Sequence, residues 1–314
     1  MKMIDSAINF RRYLKRRNYS PHTIKNYLSM LTIFLIWLRV PVEQVDNQVV
    51  DAYIDYLLEQ RKSPKTINCH LVCIRHFYRF LREQEGETLA DPVMRGSALR
   101  LAKPLPKHLQ DEQVERLFSA INRDRDMAMF KLMLRCGLRV EEVANLTIDC
   151  IDYRRNRIFV HLGKGSKDRV VYFSTDAAEA LADYLEIRPE ATTRNIFLVE
   201  KGIYKNQPIS VRGIQKRLEY YSKKTGIAVS CHQLRHTMAT QLLNADAALV
   251  TIQDLLGHTR IQTTQRYCKV SNSKIRKDYH KAMTTITGKP GTLKSPKESK
   301  YLTEKEKAEK ATTM

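Results

Sequence analysis

The sequence predicts a mainly α-helical protein of two domains, with one small antiparallel β-sheet in the second domain. Three observations support this class: apolar residues recur at helical spacing through the first hundred positions, structure-breaking residues concentrate between 86 and 107, and a single β-rich region interrupts the later helices. The predicted boundaries are a helical domain over 1–90, a linker over 91–107, a second domain over 108–287 and a charged flexible tail over 288–314.

The first domain is predicted to be a small helical bundle. Ser20-Pro21 supplies a helix N-cap and a proline at the first helical position, and Ser63-Pro64 repeats the same device further along the chain. Apolar residues at three- and four-residue spacing follow each pair and define one buried face of each helix. Two more helices are predicted, one around Val49 to Leu57 and one from Ile4 to Leu14.

The second domain is predicted to begin with a helix at Asp111 and to contain helices and three short strands. The strands are expected at Ile148–Tyr153, Arg157–Leu162 and Arg169–Phe173, where β-branched and aromatic residues alternate with polar ones. The tail beyond residue 288 is rich in Lys, Glu, Thr and Ser and has almost no apolar residues, so it is expected to be mobile.

The charge balance favours a polyanionic partner. The chain has 54 Lys and Arg against 34 Asp and Glu, which leaves a formal charge of +20. Nucleic acid is the first candidate and an anionic membrane surface the second. A membrane partner requires a polybasic amphipathic helix or a long apolar run, and neither dominates the sequence. The N-terminal residues lack the apolar region of a signal peptide, so a cytoplasmic location is expected.

Basic side chains on the predicted helix surfaces and in the β-region are the candidate DNA contacts. Some lie near the helix starts, where backbone N–H groups also attract phosphates, although a charged helix face is often only a solvated surface. The candidates are Lys25, Lys65, Arg75, Arg79, Lys167 and Arg169.

The six cysteines are expected to be small buried apolar residues. None of them forms a CxxC pair, so neither a zinc site nor a disulfide framework is predicted.

Four short segments of the second domain place charged or hydrogen-bonding residues beside structure-breaking signals. In the first, Gly137 ends one helix and Arg139 begins the next, where a guanidinium adds to the anion-attracting helix start. An arginine in such a position is also commonly a surface salt bridge. In the second, Gly163 and Gly165 favour a hairpin with Lys164 at its tip. This segment lacks the spacing of a phosphate-binding nucleotide loop.

The third and fourth segments contain the histidines. His232 and Arg235 are three residues apart and are expected on one helix face, while Gln233 stands where a zinc-protease motif requires glutamate. In the fourth segment Gly257 is expected to end a helix and to leave His258 on the following turn. Tyr267 follows nine residues later, on a predicted short helix.

Together these segments resemble the tyrosine recombinase (phage integrase) family, and their layout is most similar to Xer-type proteins. The family's ordered set is Arg, Lys, His-x-x-Arg, Leu-Gly-His and a final Tyr, and the resemblance covers residues 1–285. It implies six catalytic residues and one supporting residue: Arg139, Lys164, His232, Arg235, His258, Tyr267 and, in support, Glu142. Two flanking positions depart from the family's usual pattern, with Cys136 in place of threonine and Cys231 in place of proline.

The resemblance also implies an architecture and a set of partners. The two domains would form a C-shaped clamp on duplex DNA, with an N-terminal helical core-binding bundle and an α+β catalytic domain. The partners would be double-stranded recombination sites, bound by a homotetramer or by a heterotetramer with a sister recombinase. The segment over 270–285 would be exchanged between protomers, and no metal ion or other cofactor is expected.

The function that follows is site-specific strand cleavage and rejoining through a 3′-phosphotyrosyl bond, for integration, excision or transposition of a mobile element. Resolution of chromosome or plasmid dimers by an Xer-like protein is an alternative. A type IB topoisomerase would use similar chemistry without pairing DNA sites, and would relax supercoiled DNA as a monomer. A DNA-binding protein with a decayed site would bind DNA without forming a covalent adduct.

Overall fold

The chain divides into two compact units, Met1–Pro104 and Leu105–Met314. A computed structural model describes residues 3–84, 86, 88–102, 107–161, 168–257 and 264. The predicted hairpin tip, the segment that follows Gly257 apart from Thr264, and the predicted tail over 288–314 therefore lie outside the described residues.

The first unit contains the four predicted helices. Their bounds are α1 Met3–Arg16, α2 Pro21–Trp37, α3 Asn47–Glu59 and α4 Pro64–Gln84, with a short 3₁₀ turn at Val42–Gln44 before α3. The helical periodicity of the sequence is thus confirmed for this unit.

Two equivalent caps begin α2 and α4. The Ser20 hydroxyl oxygen accepts a hydrogen bond from the Thr23 amide at 3.1 Å, and the Ser63 hydroxyl accepts one from the Thr66 amide at 3.2 Å. Each serine also lies 2.8 Å from the hydroxyl of its threonine. The repeated Ser-Pro-x-Thr sequence forms the same local structure twice because it satisfies an otherwise unpaired N–H of the first helical turn.

Helix α4 forms the centre of the first unit's core. Ile67, Phe77 and Leu81 are each almost completely buried and pack with apolar residues of the other helices. The core also contains satisfied polar groups, since the Tyr53 hydroxyl and His70 Nδ1 are 2.9 Å apart. Burial favours the uncharged imidazole and lowers the pKa of His70.

The second unit is helical except for one small sheet. Its helices are α5 Asp111–Ser119, α6 Asp124–Arg135, α7 Val140–Ala144, α8 Thr175–Ile187, α9 Val211–Thr225, α10 Cys231–Asn244 and α11 Leu249–Leu256. Helix α6 packs against α8, α9 and α10, and its apolar residues are part of the unit's main core. A smaller apolar cluster joins α10 to α11 through Met238, Leu243, Ile252 and Leu256.

The sheet has three antiparallel strands in the order β1 Ile151–Asp152, β2 Arg157–Val160 and β3 Arg169–Tyr172. Val160 pairs with Arg169, so that β2 and β3 flank the segment predicted to present Lys164.

The first strand is much shorter than predicted. Residues Ile148–Cys150 form a 3₁₀ turn instead. A second 3₁₀ turn follows at Tyr153–Arg155, because the Asp152 carboxylate accepts a hydrogen bond from the Arg155 amide at 3.1 Å. These local hydrogen bonds compete with strand pairing and leave two residues for β1.

A buried polar network holds α6 to α9. Asp126 is fully buried on α6 and accepts hydrogen bonds from Arg125, from Arg217 Nε at 2.7 Å and from the Tyr221 hydroxyl at 3.1 Å. This buried carboxylate is fully paired, as a buried charge must be. The network therefore stabilises the position of α6, whose carboxyl end leads into the turn before Arg139.

Among the described residues, no helix combines the length and the apolar character that crossing a membrane demands.

Replacing Ser20 or Ser63 with alanine tests the caps. Each change is expected to lower the free energy of unfolding of the first unit by about 1 kcal/mol, because an amide of the first helical turn loses its partner. Fluorescence of Trp37, the single tryptophan, reports urea unfolding of this unit. Ser29→Ala, at an exposed position inside α2, is the control and is expected to change stability by less than about 0.5 kcal/mol. Equal effects of all three changes would contradict the capping role.

Candidate active site

The turn between α6 and α7 places Arg139. Helix α6 ends at Arg135, and Gly137 then adopts a φ of 66°, in the left-handed region. A Cβ at this position would lie 2.7 Å from Met238 Sδ of α10, so the turn also requires the absence of a side chain. Arg139 is the N-cap residue of α7, as the sequence predicted.

Helix α10 places Arg235 and His232. Ser230 and Gln233 form a capping box, in which the Ser230 amide donates to Gln233 Oε1 at 2.9 Å and the Gln233 amide donates to Ser230 Oγ at 3.3 Å. Gln233 is therefore a capping residue, which the Ser-x-x-Gln spacing could have indicated. His232 is exposed, and its ring lies 4.2 Å from that of His236 in an edge-to-face arrangement.

Arg235 is buried despite its charge. The residue is only 2% exposed, and its guanidinium donates to the carbonyl oxygens of Gly137 and Leu256. It thus joins the α6–α7 turn to the end of α11. The sequence placed Arg235 on the same face as His232, but it did not predict these backbone partners.

The carboxyl end of α11 is the meeting point of three arginines. The helix ends at Leu256, and Gly257 caps it with a φ of 59°. Arg139 Nη2 lies 3.4 Å from both the Leu256 and the Gly257 carbonyl oxygens, and Arg169 Nε donates to the Leu255 carbonyl at 2.8 Å. The last carbonyls of a helix lack intrahelical partners and carry partial negative charge, so they attract guanidinium groups.

Glu142 is the carboxylate at the centre of this cluster. It accepts from the Arg139 amide at 2.7 Å and from Arg139 Nη1 at 2.8 Å, and its two oxygens accept from Arg169 Nη1 and Nη2 at 2.8 Å each. Burial raises the pKa of Glu142, but the hydrogen bonds and charge of Arg169, followed by the bonds from Arg139, lower it to about 2. Glu142 is therefore ionised at neutral pH.

The cluster has a net positive charge that suits an anionic ligand. The cluster contains three guanidinium groups and one carboxylate, which leaves a formal charge of +2. The Arg139 side chain is 37% exposed, whereas those of Arg169 and Glu142 are each 7% exposed. Arg139 is therefore the member of the described cluster that is most accessible to a phosphate.

The predicted site residues fall into two groups. The structure brings together Arg139, Arg235 and Glu142, and it places His232 one turn before Arg235 on α10. Lys164, Lys167, His258 and Tyr267 lie outside the described residues.

Two of the candidate DNA contacts also have intramolecular partners. Arg75 donates to the carbonyl oxygens of Val93 and Met94 at 3.1 and 2.7 Å, so it holds the segment after α4. Arg169 is buried against Glu142 and α11. Both DNA contacts stay predictions: the Arg75 side chain is still 37% exposed, whereas the guanidinium nitrogens of Arg169 already donate to Glu142 and Leu255. Lys25, Lys65 and Arg79 are exposed on the first unit.

The described cysteines are mostly buried, as expected, although Cys69 is exposed and Cys150 partly so. Burial raises the pKa of Cys136 to about 12 and that of Cys231 to about 11. These two thiols flank the site as neutral apolar groups. Within the described residues, no group of three or more His, Cys, Asp or Glu side chains is arranged to hold a metal ion.

Comparison with known proteins finds related sequences over most of the chain. A family model described as "Phage integrase family" matches residues 107–274, and one described as "Phage integrase, N-terminal SAM-like domain" matches residues 7–85. The tyrosine recombinase XerA of Thermococcus kodakarensis is 34% identical over 275 residues, which cover 87% of this chain and 93% of the relative.

Solved structures share the fold at lower identity. The Tn1549 transposon integrase in complex with transposon right end DNA is 18% identical, with a TM-score of 0.73 and coverage of 88% of this chain and 99% of the other. A lambda integrase tetramer bound to a Holliday junction is 15% identical, with a TM-score of 0.68 and coverage of 82% and 77%.

The fold, the arginine cluster and these matches define a DNA strand-exchanging enzyme of a class that acts without ATP or a metal ion. The chain belongs to the phage integrase family of tyrosine recombinases, and it is similar to Xer-type members over most of its length.

Glu142→Gln tests the electrostatic role of this carboxylate. The pKa of Glu142 is about 2 in the folded chain against an ordinary value of 4.5, so its ionisation stabilises the fold above pH 4.5. This contribution, about 3 kcal/mol, is lost as the pH falls from 4.5 towards 2. The difference in unfolding free energy between wild type and Glu142→Gln is therefore expected to be largest at pH 7 and to shrink at pH 3.

The matched control is Glu141→Gln, because Glu141 is an exposed neighbour on the same helix. It is expected to change stability by less than about 0.5 kcal/mol at either pH. A Glu142→Gln effect that did not vary with pH would contradict the paired, ionised state of this carboxylate.

Proposed function

We propose that this chain cuts and rejoins DNA at specific sites through a transient covalent bond between Tyr267 and a DNA phosphate. The observation that carries the proposal is the convergence of Arg139 and Arg235 on the carboxyl end of α11, with the Glu142 carboxylate bound to Arg139. That helix end immediately precedes His258 in the chain, and Tyr267 follows nine residues later.

The proposed reaction exchanges one phosphoester for another. The Tyr267 phenolic oxygen bonds to phosphorus, the bond from phosphorus to the 5′ oxygen breaks, and that oxygen leaves as a hydroxyl after gaining a proton. The product is a 3′-phosphotyrosyl link. Because the number of phosphoester bonds is unchanged, attack by a 5′ hydroxyl reverses the step and rejoins a strand without another energy source.

Arg139 and Arg235 are proposed to bind the two non-bridging oxygens of the scissile phosphate. Arg139 is supported in this role by its partial exposure and by the 3.4 Å length of its carbonyl contacts, which a phosphate oxygen can replace. Preorganised cations of this kind each contribute about 3 kcal/mol or more to transition-state stabilisation. Glu142 is proposed to orient Arg139, since it binds both its amide and its side chain.

The remaining roles concern protons and follow from the family's ordered motif. Lys164 is proposed as the general acid for the 5′ oxygen, and His232 as the partner of Tyr267 in proton transfer. His258 is proposed to donate a hydrogen bond to the phosphate. The exposure of His232 at the start of α10 is compatible with contact to DNA.

Duplex DNA is the proposed partner, and the formal charge of +20 supports its binding through phosphates. Exposed Lys25, Lys65 and Arg79 on the first unit, together with Lys167, are proposed contacts. We propose a tetramer on two paired sites, built from this chain alone or with a sister recombinase, in which residues 270–285 are exchanged between protomers. The lambda integrase tetramer on a Holliday junction supports this assembly. We also propose a cytoplasmic location, where DNA is accessible as the partner.

Two biological roles are compatible with this chemistry. Movement of a mobile element by integration, excision or transposition is supported by the fold shared with the transposon integrase. Resolution of chromosome or plasmid dimers is supported by the similarity to XerA over most of both chains.

Covalent trapping tests the proposed chemistry. Wild-type protein incubated with sheared DNA from its source, then denatured, is expected to retain DNA covalently, whereas Tyr267→Phe reduces this adduct by about 10³-fold or more because the nucleophile is lost. The control is Tyr204→Phe, an exposed tyrosine of the same unit, which is expected to leave the adduct unchanged. An adduct that survives Tyr267→Phe would overturn the assignment, and relaxation of supercoiled DNA by monomers would favour a topoisomerase.

Sequencing the trapped DNA distinguishes the two biological roles. Cleavage at both ends of a discrete segment is expected for a mobile element, whereas cleavage at one chromosomal locus supports dimer resolution. The Tyr267→Phe sample provides the background, and reads scattered without preference would contradict site-specific cleavage.

A further inference from the structure

Arg169 is a buried basic residue beside the candidate active site. It is the first residue of β3, and its side chain is only 7% exposed. All three guanidinium nitrogens have partners within the second unit: Nη1 and Nη2 each donate to one oxygen of Glu142, and Nε donates to the Leu255 carbonyl. The paired, parallel hydrogen bonds to the carboxylate fix the angle of both groups as well as their separation.

The end of α11 is shaped to receive this side chain. A Cβ at Gly257 would lie 3.0 Å from Arg169 Cδ and 3.5 Å from its Nε and Nη1. The Arg169 side chain therefore lies directly against the backbone of Gly257. Glycine is required there for close approach as well as for the left-handed φ of 59°. Helix α11 and strand β3 are accordingly in direct contact.

Arg169 therefore connects three segments that carry site residues. Through Glu142 it reaches the N-cap residue Arg139, and through Leu255 it reaches the helix end that precedes His258. In the chain it stands at the base of the hairpin that contains Lys164.

We propose that Arg169 is a positioning residue for strand cleavage. It holds Glu142 and the end of α11 in the relative position that orients Arg139 towards the scissile phosphate. This inference rests on the proposed function. It assigns Arg169 no contact with DNA, because its donors already bind Glu142 and Leu255. A purely structural ion pair would affect folding stability, whereas a positioning residue also affects the rate of the chemical step in folded protein.

The low pKa of Glu142 agrees with this role. After the opposing effect of burial, Arg169 is the largest influence that lowers it, ahead of Arg139. Without Arg169, the buried Glu142 carboxylate would have only Arg139 as an ion-pair partner, and the orientation of the carboxylate would change.

The test compares Arg169→Ala and Arg169→Lys with Arg157→Ala. Arg157 is the matched control, because it lies on the neighbouring strand and pairs with Asp152, at 2.8 Å, away from the arginine cluster. The measurements are the single-turnover rate of adduct formation at saturating protein, the Kd for duplex DNA and the thermal midpoint.

Arg169→Ala is expected to slow adduct formation between about 10- and 100-fold, because the phosphate-binding guanidinium is misplaced. The Kd is expected to stay within about threefold of wild type, since no phosphate contact is removed. Arg169→Lys is expected to be intermediate, because it keeps the charge but loses the paired hydrogen bonds. Arg157→Ala is expected to cleave at the wild-type rate.

Hydrogen exchange of the α11 amides gives a readout that does not depend on catalysis. Faster exchange over Leu249–Leu256 in both Arg169 variants, but not in Arg157→Ala, is expected if Arg169 anchors this helix end. Wild-type cleavage rates in folded Arg169→Ala would overturn the inference, as would a loss of DNA affinity that accounted for the whole defect. If Arg169→Ala does not fold, the test rests on Arg169→Lys. A wild-type rate of adduct formation together with wild-type hydrogen exchange in Arg169→Lys would then overturn the inference.

The outcome also separates this inference from the proposed function. A wild-type protein that forms no adduct, or an adduct that survives Tyr267→Phe, contradicts the proposed chemistry. The exchange measurement then still decides whether Arg169 positions α11.

Discussion

The attraction between guanidinium groups and the carboxyl end of α11 organises the catalytic unit. Three arginines from three different elements converge on the carbonyl oxygens of Leu255, Leu256 and Gly257. Like charges gathered at one place repel each other, and the helix end alone offers only partial negative charge to offset them. Glu142 supplies the full negative charge that lets Arg139 and Arg169 share one location. The resulting excess of positive charge is what a phosphate can bind.

The surrounding fold explains how these charges can be held so closely. Helix α6 ends at the turn that precedes Arg139, and its position is maintained by polar contacts as well as by the core. Asp126 ties it to α9, and Asp176 of α8 accepts hydrogen bonds from Lys131 and Arg135 of α6. Burial raises the pKa of Asp176, but these hydrogen bonds lower it well below its ordinary value. A rigid α6 gives the Gly137 turn a fixed starting point.

The three arginines of the cluster differ in accessibility. Arg235 and Arg169 are buried and bind backbone or carboxylate oxygens, whereas Arg139 keeps a partly exposed side chain and longer carbonyl contacts. A phosphate that enters the site can replace the weaker contacts of Arg139 at little cost, because the charged donor exchanges one oxygen partner for a more negative one. In this view the helix end holds the guanidinium near its working position before DNA binds.

The sequence by itself determined the features that depend on neighbours in the chain. The Ser-Pro caps of α2 and α4, the break at Gly137, the start of α7 at Arg139 and the end of α11 at Gly257 all follow from local hydrogen bonding and backbone geometry. The ordered motif of the second domain also identified the family without knowledge of the fold.

Tertiary structure alone decided which charged residues are buried and what they bind. Arg169 and Leu255 are separated by 86 positions, and Arg75 meets Val93 at a separation of 18. No local pattern distinguishes these arginines from solvent-exposed ones such as Arg79. The predicted length of the first strand is too great for a related reason, because Asp152 caps a turn instead of extending the sheet. Burial and pairing depend on contacts between segments that meet only after folding. A local sequence pattern carries no information about those contacts.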